Sequence, residues 1–199
     1  MVAVDTGKEY MKKHMLLSAV VIVLASCVNT YFCNFTLLDV QRPAGVAEQA
    51  GPMTIAKDPD TTTIKYRFSD SLFDVTFFIT EYQFEFALKN KTGRPVKILW
   101  EKSAYVNPKG DRKRVIHGVI NYPQKSVMQS PTIVAKGETI SEMLLPSEHV
   151  NVYLYGSGGW SLYPLFSQND AGKTVNVVLA LEIGGVVNEY VFTMKINAV

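Results

Sequence analysis

The 199-residue chain is 47% hydrophobic, 11% aromatic and 19% charged, which suffices for one sizeable buried core and excludes a disordered polymer. Its 20 basic and 18 acidic residues leave a formal charge of +2, so charge gives no general reason to bind nucleic acid. Two cysteines exclude a disulfide-dense scaffold and a four-cysteine zinc site.

The amino-terminal segment has the three parts of a secretory signal. Lys12-Lys13 is a basic start, residues 15–24 are weakly polar to apolar, and small residues precede Cys27. Ten residues span about 15 Å as a helix, half of the hydrocarbon core, so a cleaved signal is expected rather than a transmembrane span. The polar residues 1–10 are either a start-site artefact, with Met11 as the initiator, or part of a long basic region.

The four residues that end this signal resemble a bacterial lipobox; they are Leu24, Ala25, Ser26 and Cys27. The resemblance implies cleavage by signal peptidase II before Cys27, diacylglycerol on its sulfur and an acyl chain on its new amino group, with no other cofactor. Two or three acyl chains anchor a protein stably where one is marginal. The alternative is a signal peptidase I site followed by an ordinary Cys27 that pairs with Cys33. Val28 is similar to the pattern that sorts Gram-negative lipoproteins to the outer membrane, so an exported, lipid-anchored protein is expected.

Residues 27–61 are predicted to be a tether with one edge strand at residues 35–40. Turn and loop chemistry is predicted at residues 42–45 and 57–60. From Thr62 to Val199, apolar and polar residues alternate with the period of a pleated strand. The strands are predicted at residues 64–68, 73–79, 82–88, 95–101, 103–106, 114–120, 132–135, 139–144, 151–155, 161–166, 174–183 and 186–196.

Short connections favour antiparallel pairing of these strands. Residues 90–93, residues 107–110 and Gly184-Gly185 have turn chemistry, and the last is a two-residue hairpin loop. No helical stripe supplies the crossovers that a parallel sheet needs. About nine or ten strands in residues 62–199 predict an all-β, antiparallel immunoglobulin-like β-sandwich, with a small barrel as the alternative.

The four runs 84–92, 96–100, 105–108 and 114–119 are together similar to uncharacterised bacterial lipoproteins with a small immunoglobulin-like domain. The resemblance covers about half of the chain after Cys27. It implies the architecture, and it defines no catalytic residue that can be carried over.

Candidate chemistry in the rest of the chain is sparse. His117 and His149 lack ligand-spaced partners, so no metal site is predicted, and His117 is expected to satisfy an acceptor at the sheet surface. The glycine-rich residues 156–159 fit neither a nucleophile elbow nor a dinucleotide loop, and a loop is predicted there.

Two surfaces are candidates for contacts with a partner. The basic residues Lys109, Arg112, Lys113 and Arg114 would project from a hairpin tip, where the alternative is a solvated turn. Trp160 would offer an aromatic contact surface, where the alternative is core packing.

The predicted function is a non-enzymatic binding or scaffolding module of the bacterial envelope. Its expected partners are the membrane, through the lipid, and an envelope protein or glycan, whereas nucleic acid is disfavoured. The rival prediction is a hydrolase or carbohydrate-active protein whose carboxylates are dispersed along the strands. A purely structural assembly subunit is a third alternative.

Overall fold

The computed structural model describes residues 34–58, 64–118, 126–153 and 159–197, with only the backbone for residues 152 and 153. The predicted lipobox, Cys33 and residues 156–158 lie outside this part of the chain. The described ranges form an all-β fold in which the strands pair antiparallel, which confirms the all-β class and the antiparallel pairing that the sequence predicted. No helix within them is long and apolar enough to cross a membrane.

The described residues contain one short helix, α1 at Ala44–Ala50, and fourteen strands. The strands are β1 Asn34–Gln41, β2 Thr54–Lys57, β3 Lys65–Ser69, β4 Phe73–Ile79, β5 Phe84–Asn90, β6 Val96–Ile98, β7 Ala104–Val106, β8 Arg112–His117, β9 Thr132–Val134, β10 Thr139–Pro146, β11 Val150–Tyr153, β12 Gly159–Leu162, β13 Thr174–Ile183 and β14 Val186–Asn197.

Strand β8 joins two antiparallel sheets. The continuous hydrogen-bonded order is β1-β14-β13-β7-β8-β10-β5-β4-β3-β2, and β6 lies beside β13 with β9 at its other edge. The first half of β8 pairs with β7, and its second half pairs with β10. Strands β11 and β12 form a separate hairpin.

The two sheets cover one core, which aromatic side chains from both sheets fill. The ring of Phe192 on β14 lies 5.6 Å from that of Phe68 on β3 and 4.8 Å from that of Phe77 on β4. Alternate residues of β4 and β5 are buried, as the period-two pattern predicted. Two facing apolar surfaces therefore exclude water from each other and stabilise the pair of sheets.

The segment predicted to be a tether contains the expected edge strand and two unpredicted elements. Strand β1 pairs with β14 from Asn34 to Gln41, with one irregularity at Leu38. The turn predicted at residues 42–45 is wrong at its second half, because α1 begins at Ala44 and buries Val46 and Ala50 one helical turn apart. Strand β2 then pairs with β3 at the edge of the second sheet.

Arg42 ties this segment to the second sheet. Its Nη1 donates to the carbonyl oxygen of Gly51 at 2.8 Å and lies 3.4 Å from Oδ2 of the buried Asp70. The other carboxylate oxygen of Asp70 accepts from the backbone N–H groups of Leu72 and Phe73, both at 2.8 Å. The Asp70 carboxylate is thus paired and hydrogen-bonded, as a buried charge requires.

Two of the three turns predicted between strands of residues 62–199 are confirmed. Gly184 and Gly185 have φ values of 58° and 87° and connect β13 to β14, as a two-residue hairpin with two positive φ angles requires. In the β7–β8 turn, Gly110 has φ 88° and the Asn107 side chain accepts two backbone N–H groups. Residues 90–93, by contrast, lead from β5 in one sheet to β6 in the other, so they form no hairpin.

Several predicted strand ends are also corrected. A strand was predicted at residues 95–101, but β6 ends at Ile98. The carbonyl of Leu99 accepts the N–H groups of Lys102 and Ser103 and closes a turn there. Strand β12 covers Gly159–Leu162, whereas a strand was predicted at residues 161–166 and a loop at residues 156–159.

Candidate functional site

An open groove of about 620 Å³ lies on the outer face of the second sheet. Its floor is a row of small residues that face each other across three strands: Thr76 on β4, Ala87 on β5 and Ser141 on β10. The next outward-facing row has larger side chains, which form a wall. That row is Lys65, Phe78, Glu85 and Met143.

The wall of the groove combines apolar and charged groups. Phe78 and Met143 supply apolar surface, Lys65 supplies an ammonium group, and Glu85 supplies a carboxylate. The Glu85 Oε1 atom accepts a hydrogen bond from Nε2 of Gln83 at 2.6 Å. Such a surface fits a partner segment that lies along the sheet and carries both polar and apolar groups.

His117 and Glu142 meet at the margin of this groove, which Glu142 lines. The His117 ring stacks on the buried Trp100 indole with centroids 4.1 Å apart and planes 6° apart. The Nδ1 atom of His117 lies 3.5 Å from Oε2 of Glu142. At that separation no hydrogen bond joins the two atoms, and the buried Nδ1 atom of His117 has no hydrogen-bond partner among the described residues.

The Thr132 hydroxyl connects Trp100 to Glu142 through two hydrogen bonds. It accepts from Nε1 of Trp100 at 2.9 Å and donates to Oε1 of Glu142 at 3.1 Å. The expectation that His117 satisfies an acceptor at the sheet surface is not met by its Nδ1 atom, and the carboxylate that this atom faces, that of Glu142, comes from another strand. A pattern along one strand could not have identified this pair, because the two residues are 25 positions apart.

Three of the four residues of the predicted basic surface lie on a strand rather than at a hairpin tip. Arg112, Lys113 and Arg114 lie on β8, and Lys109 lies in the turn before it. Each of the three faces a carboxylate, and the nearest N–O distances are 3.2 Å to Glu189, 2.9 Å to Glu148 and 2.7 Å to Glu101, respectively.

Two members of these ion pairs, Glu101 and Lys113, have pKa values shifted in the direction that favours the charged form. The hydrogen bond from Arg114, together with the backbone N–H of Gln129, lowers the pKa of Glu101 although burial opposes it. The hydrogen bond with Glu148 raises the pKa of Lys113. The positive charge along β8 is therefore partly neutralised, which weakens its attraction for anionic surfaces. A contact role for these residues stays a prediction.

Trp160 is half-exposed rather than packed in the core, with 50% of its surface accessible. It lies on β12, and Val150 of the paired strand β11 forms a buried cluster with Ile116 and Leu145, against which Leu162 of β12 packs. The β11–β12 hairpin therefore lies against β8 and β10, and the two predicted contact surfaces belong to neighbouring elements. Two further aromatic residues are exposed: Tyr163, which the sequence places near Trp160, and Tyr82, which was predicted to lie on the apolar face of a strand.

Comparison of the chain with protein-family models, with curated proteins and with solved structures returned no match. Function must therefore be inferred from the amino-terminal motif and from the chemistry of the described surfaces. Of these surfaces, the groove presents the greatest variety of groups within one concave area.

Proposed function

We propose that this protein is an exported bacterial envelope lipoprotein. The order Leu24-Ala25-Ser26-Cys27 supports cleavage before Cys27, with diacylglycerol on its sulfur and an acyl chain on its amino group. The lipid anchors the chain to the bacterial membrane, which in a Gram-negative host is the outer membrane. The antiparallel domain, an immunoglobulin-like sandwich in this proposal, is displayed there as a binding or scaffolding module.

The groove over β3, β4, β5 and β10 is the observation that carries the binding role. The small side chains of its floor and the larger apolar and charged side chains of its wall make a concave area on this face of the sheet. An extended envelope protein segment or a glycan chain would lie on the floor, with apolar contacts to Phe78 and Met143 and polar contacts to Lys65 and Glu85. Concave surfaces of this composition are the usual places for ligand contact.

The anchor is tested by intact mass spectrometry of membrane-extracted protein. A mature chain that starts at Cys27 and carries the mass of its acyl groups is the expected result, and the Cys27→Ala variant should lack that mass. An unmodified chain cut elsewhere, or a bridge between Cys27 and Cys33, would contradict the anchor.

The groove is tested by photocrosslinking in cells. A photoreactive amino acid placed at Ser141, on the floor, should capture a discrete partner. The matched control places the same group at Leu38, which is exposed on the edge strand β1 of the other sheet. Equal capture at both positions, or none at Ser141, would contradict the role of the groove.

A second candidate function is hydrolysis of a substrate bound in the groove. The observation that favours it is the His117–Glu142 pair at the margin, since a carboxylate with a fixed imidazole neighbour can move a proton. Activity on a panel of glycans and peptides that Glu142→Gln abolishes and Glu138→Gln retains would establish it. The absence of turnover would leave binding as the better account.

A further inference from the structure

We propose that the end of the domain at which β1 begins rests on the phospholipid surface, with Tyr82 and Tyr163 at the level of the headgroups. The inference rests on the proposed lipid anchor at Cys27 and adds an orientation to it.

The anchored end of the domain is defined by strand register. Asn34, the first residue of β1, lies opposite Asn197, the last residue of β14. Thr174, the first residue of β13, lies opposite Lys195, and the β7 strand that ends at Val106 pairs with the same portion of β13. The β7–β8 turn therefore lies at this end as well.

The lipid must stay close to this end. Seven peptide units join Cys27 to Asn34, and an extended chain of that length spans at most about 25 Å. Strand β14 runs from Asn197 back to Val186, a distance of about 37 Å at the rise of an antiparallel strand. The hairpin at Val186 is thus the far end of the domain.

Two exposed tyrosines lie together at the anchored end. Tyr82, 39% exposed, is in the β4–β5 loop, and Tyr163, 52% exposed, follows β12. The N–H of Leu165 donates to the carbonyl of Glu81 at 2.8 Å, which joins the two segments. The Phe166 ring then packs 4.8 Å from the Phe35 ring of β1, which places both segments beside the start of the domain.

The chemistry of this end suits a headgroup layer. Tyrosine places its ring near the acyl boundary and its hydroxyl among the headgroups, so exposed tyrosines are favoured at membrane interfaces. Lys109 in the β7–β8 turn and Lys195 near the end of β14 add positive charge at the same end. Each basic group near an anionic leaflet favours this orientation further.

The test uses the full lipidated chain, reconstituted into phosphatidylethanolamine–phosphatidylglycerol vesicles with or without bromine on the acyl chains. The Trp160→Phe background leaves only the buried Trp100, and one reporter tryptophan is then added, either as Tyr163→Trp or as the matched control Val186→Trp. Val186 is 61% exposed at the far end. The emission of each variant is compared between the two kinds of vesicle, after flotation has separated bound protein.

The expected result is that brominated lipid reduces the emission of the Tyr163→Trp reporter about twofold and leaves the Val186→Trp reporter unchanged, since interfacial groups reach the acyl boundary. Protein that floats but shows no quenching at position 163, or equal quenching at both positions, overturns the orientation alone. Protein that does not float overturns the lipid anchor and the orientation with it. A Tyr82→Trp variant repeats the measurement on the neighbouring loop.

Discussion

Asn90→Ala is predicted to be among the most destabilising polar substitutions in the described chain. Asn90 is fully buried at the end of β5, and its Nδ2 donates to the carbonyls of Arg94, Val134 and Ala135 at 2.9, 3.1 and 3.1 Å. Its Oδ1 accepts from the backbone N–H and the hydroxyl of Thr92 at 2.9 and 2.7 Å. One amide thus holds the crossing between the two sheets.

The cost follows from these five polar contacts, in which two amide protons serve three carbonyls and the single proton of the Thr92 hydroxyl is shared between Oδ1 of Asn90 and the Arg94 carbonyl. Each intramolecular hydrogen bond contributes about 1 kcal/mol net, and a buried group left without a partner costs more. Two carbonyls keep a donor in the variant, because the Thr92 hydroxyl still reaches Arg94 and the N–H of Glu138 still reaches Ala135. The expected loss in unfolding free energy is therefore about 3 kcal/mol. That is a substantial part of the roughly 5–15 kcal/mol that is typical of a domain.

Equilibrium unfolding in urea measures this loss through the fluorescence of the buried Trp100. A loss of about 3 kcal/mol moves the midpoint by roughly 1.5 M if the urea dependence is about 2 kcal/mol per molar. The matched control is Lys89→Ala, the exposed neighbour on β5, which should change the free energy by less than about 0.5 kcal/mol. Equal, small effects of both substitutions would refute the role given to the amide.

Three further predictions concern a carboxylate, a hairpin and the core. Burial raises the pKa of Asp170, but hydrogen bonds from Lys173 and from the hydroxyl and backbone N–H of Ser167 lower it to about 2, so this carboxylate adds stability above pH 4 that is lost as the pH falls towards 2. Asp170→Asn should remove about 1 kcal/mol of that pH-dependent stability in acid titrations. Gly184→Ala should lower the melting temperature by an amount equivalent to about 1–2 kcal/mol, because a φ of 58° is unfavourable for a residue with a Cβ, whereas the Arg94 side chain, whose Nη1 would lie 2.7 Å from that Cβ, can move aside; an unchanged melting temperature would contradict this. Phe192→Ala should cost about 3–5 kcal/mol in urea unfolding, and a cost below 1 kcal/mol would show that its ring contacts do not join the sheets.

The parts of the fold that the sequence predicted are those with a local physical cause. Alternation over residues 73–79 predicts β4 because successive side chains of a strand point to opposite faces. The pair Gly184-Gly185 predicts the last hairpin because two positive φ angles strongly favour glycine. Helix α1 was missed because seven residues offer only two buried positions, Val46 and Ala50, and its burial decides its conformation.

The candidate site was less predictable, since its members come from different strands. Glu142 faces His117 only because β8 and β10 are neighbours, and the groove exists only because Thr76, Ala87 and Ser141 lie in register. Period-two alternation identifies the outward face of each strand but says nothing about which strands adjoin.

By itself, the sequence determined most of the strand-forming segments, the two hairpin turns that contain glycine and the motif that predicts a lipid on Cys27, because alternation, glycine and a short ordered motif act within a few residues. Only the tertiary structure decided that residues 90–93 cross between sheets, since Asn90 finds its carbonyl partners Val134 and Ala135 more than forty positions away. It also decided that the basic residues of β8 face carboxylates from three other segments. Both outcomes depend on strand pairing, whose free energy comes from burying apolar faces jointly rather than from any one segment.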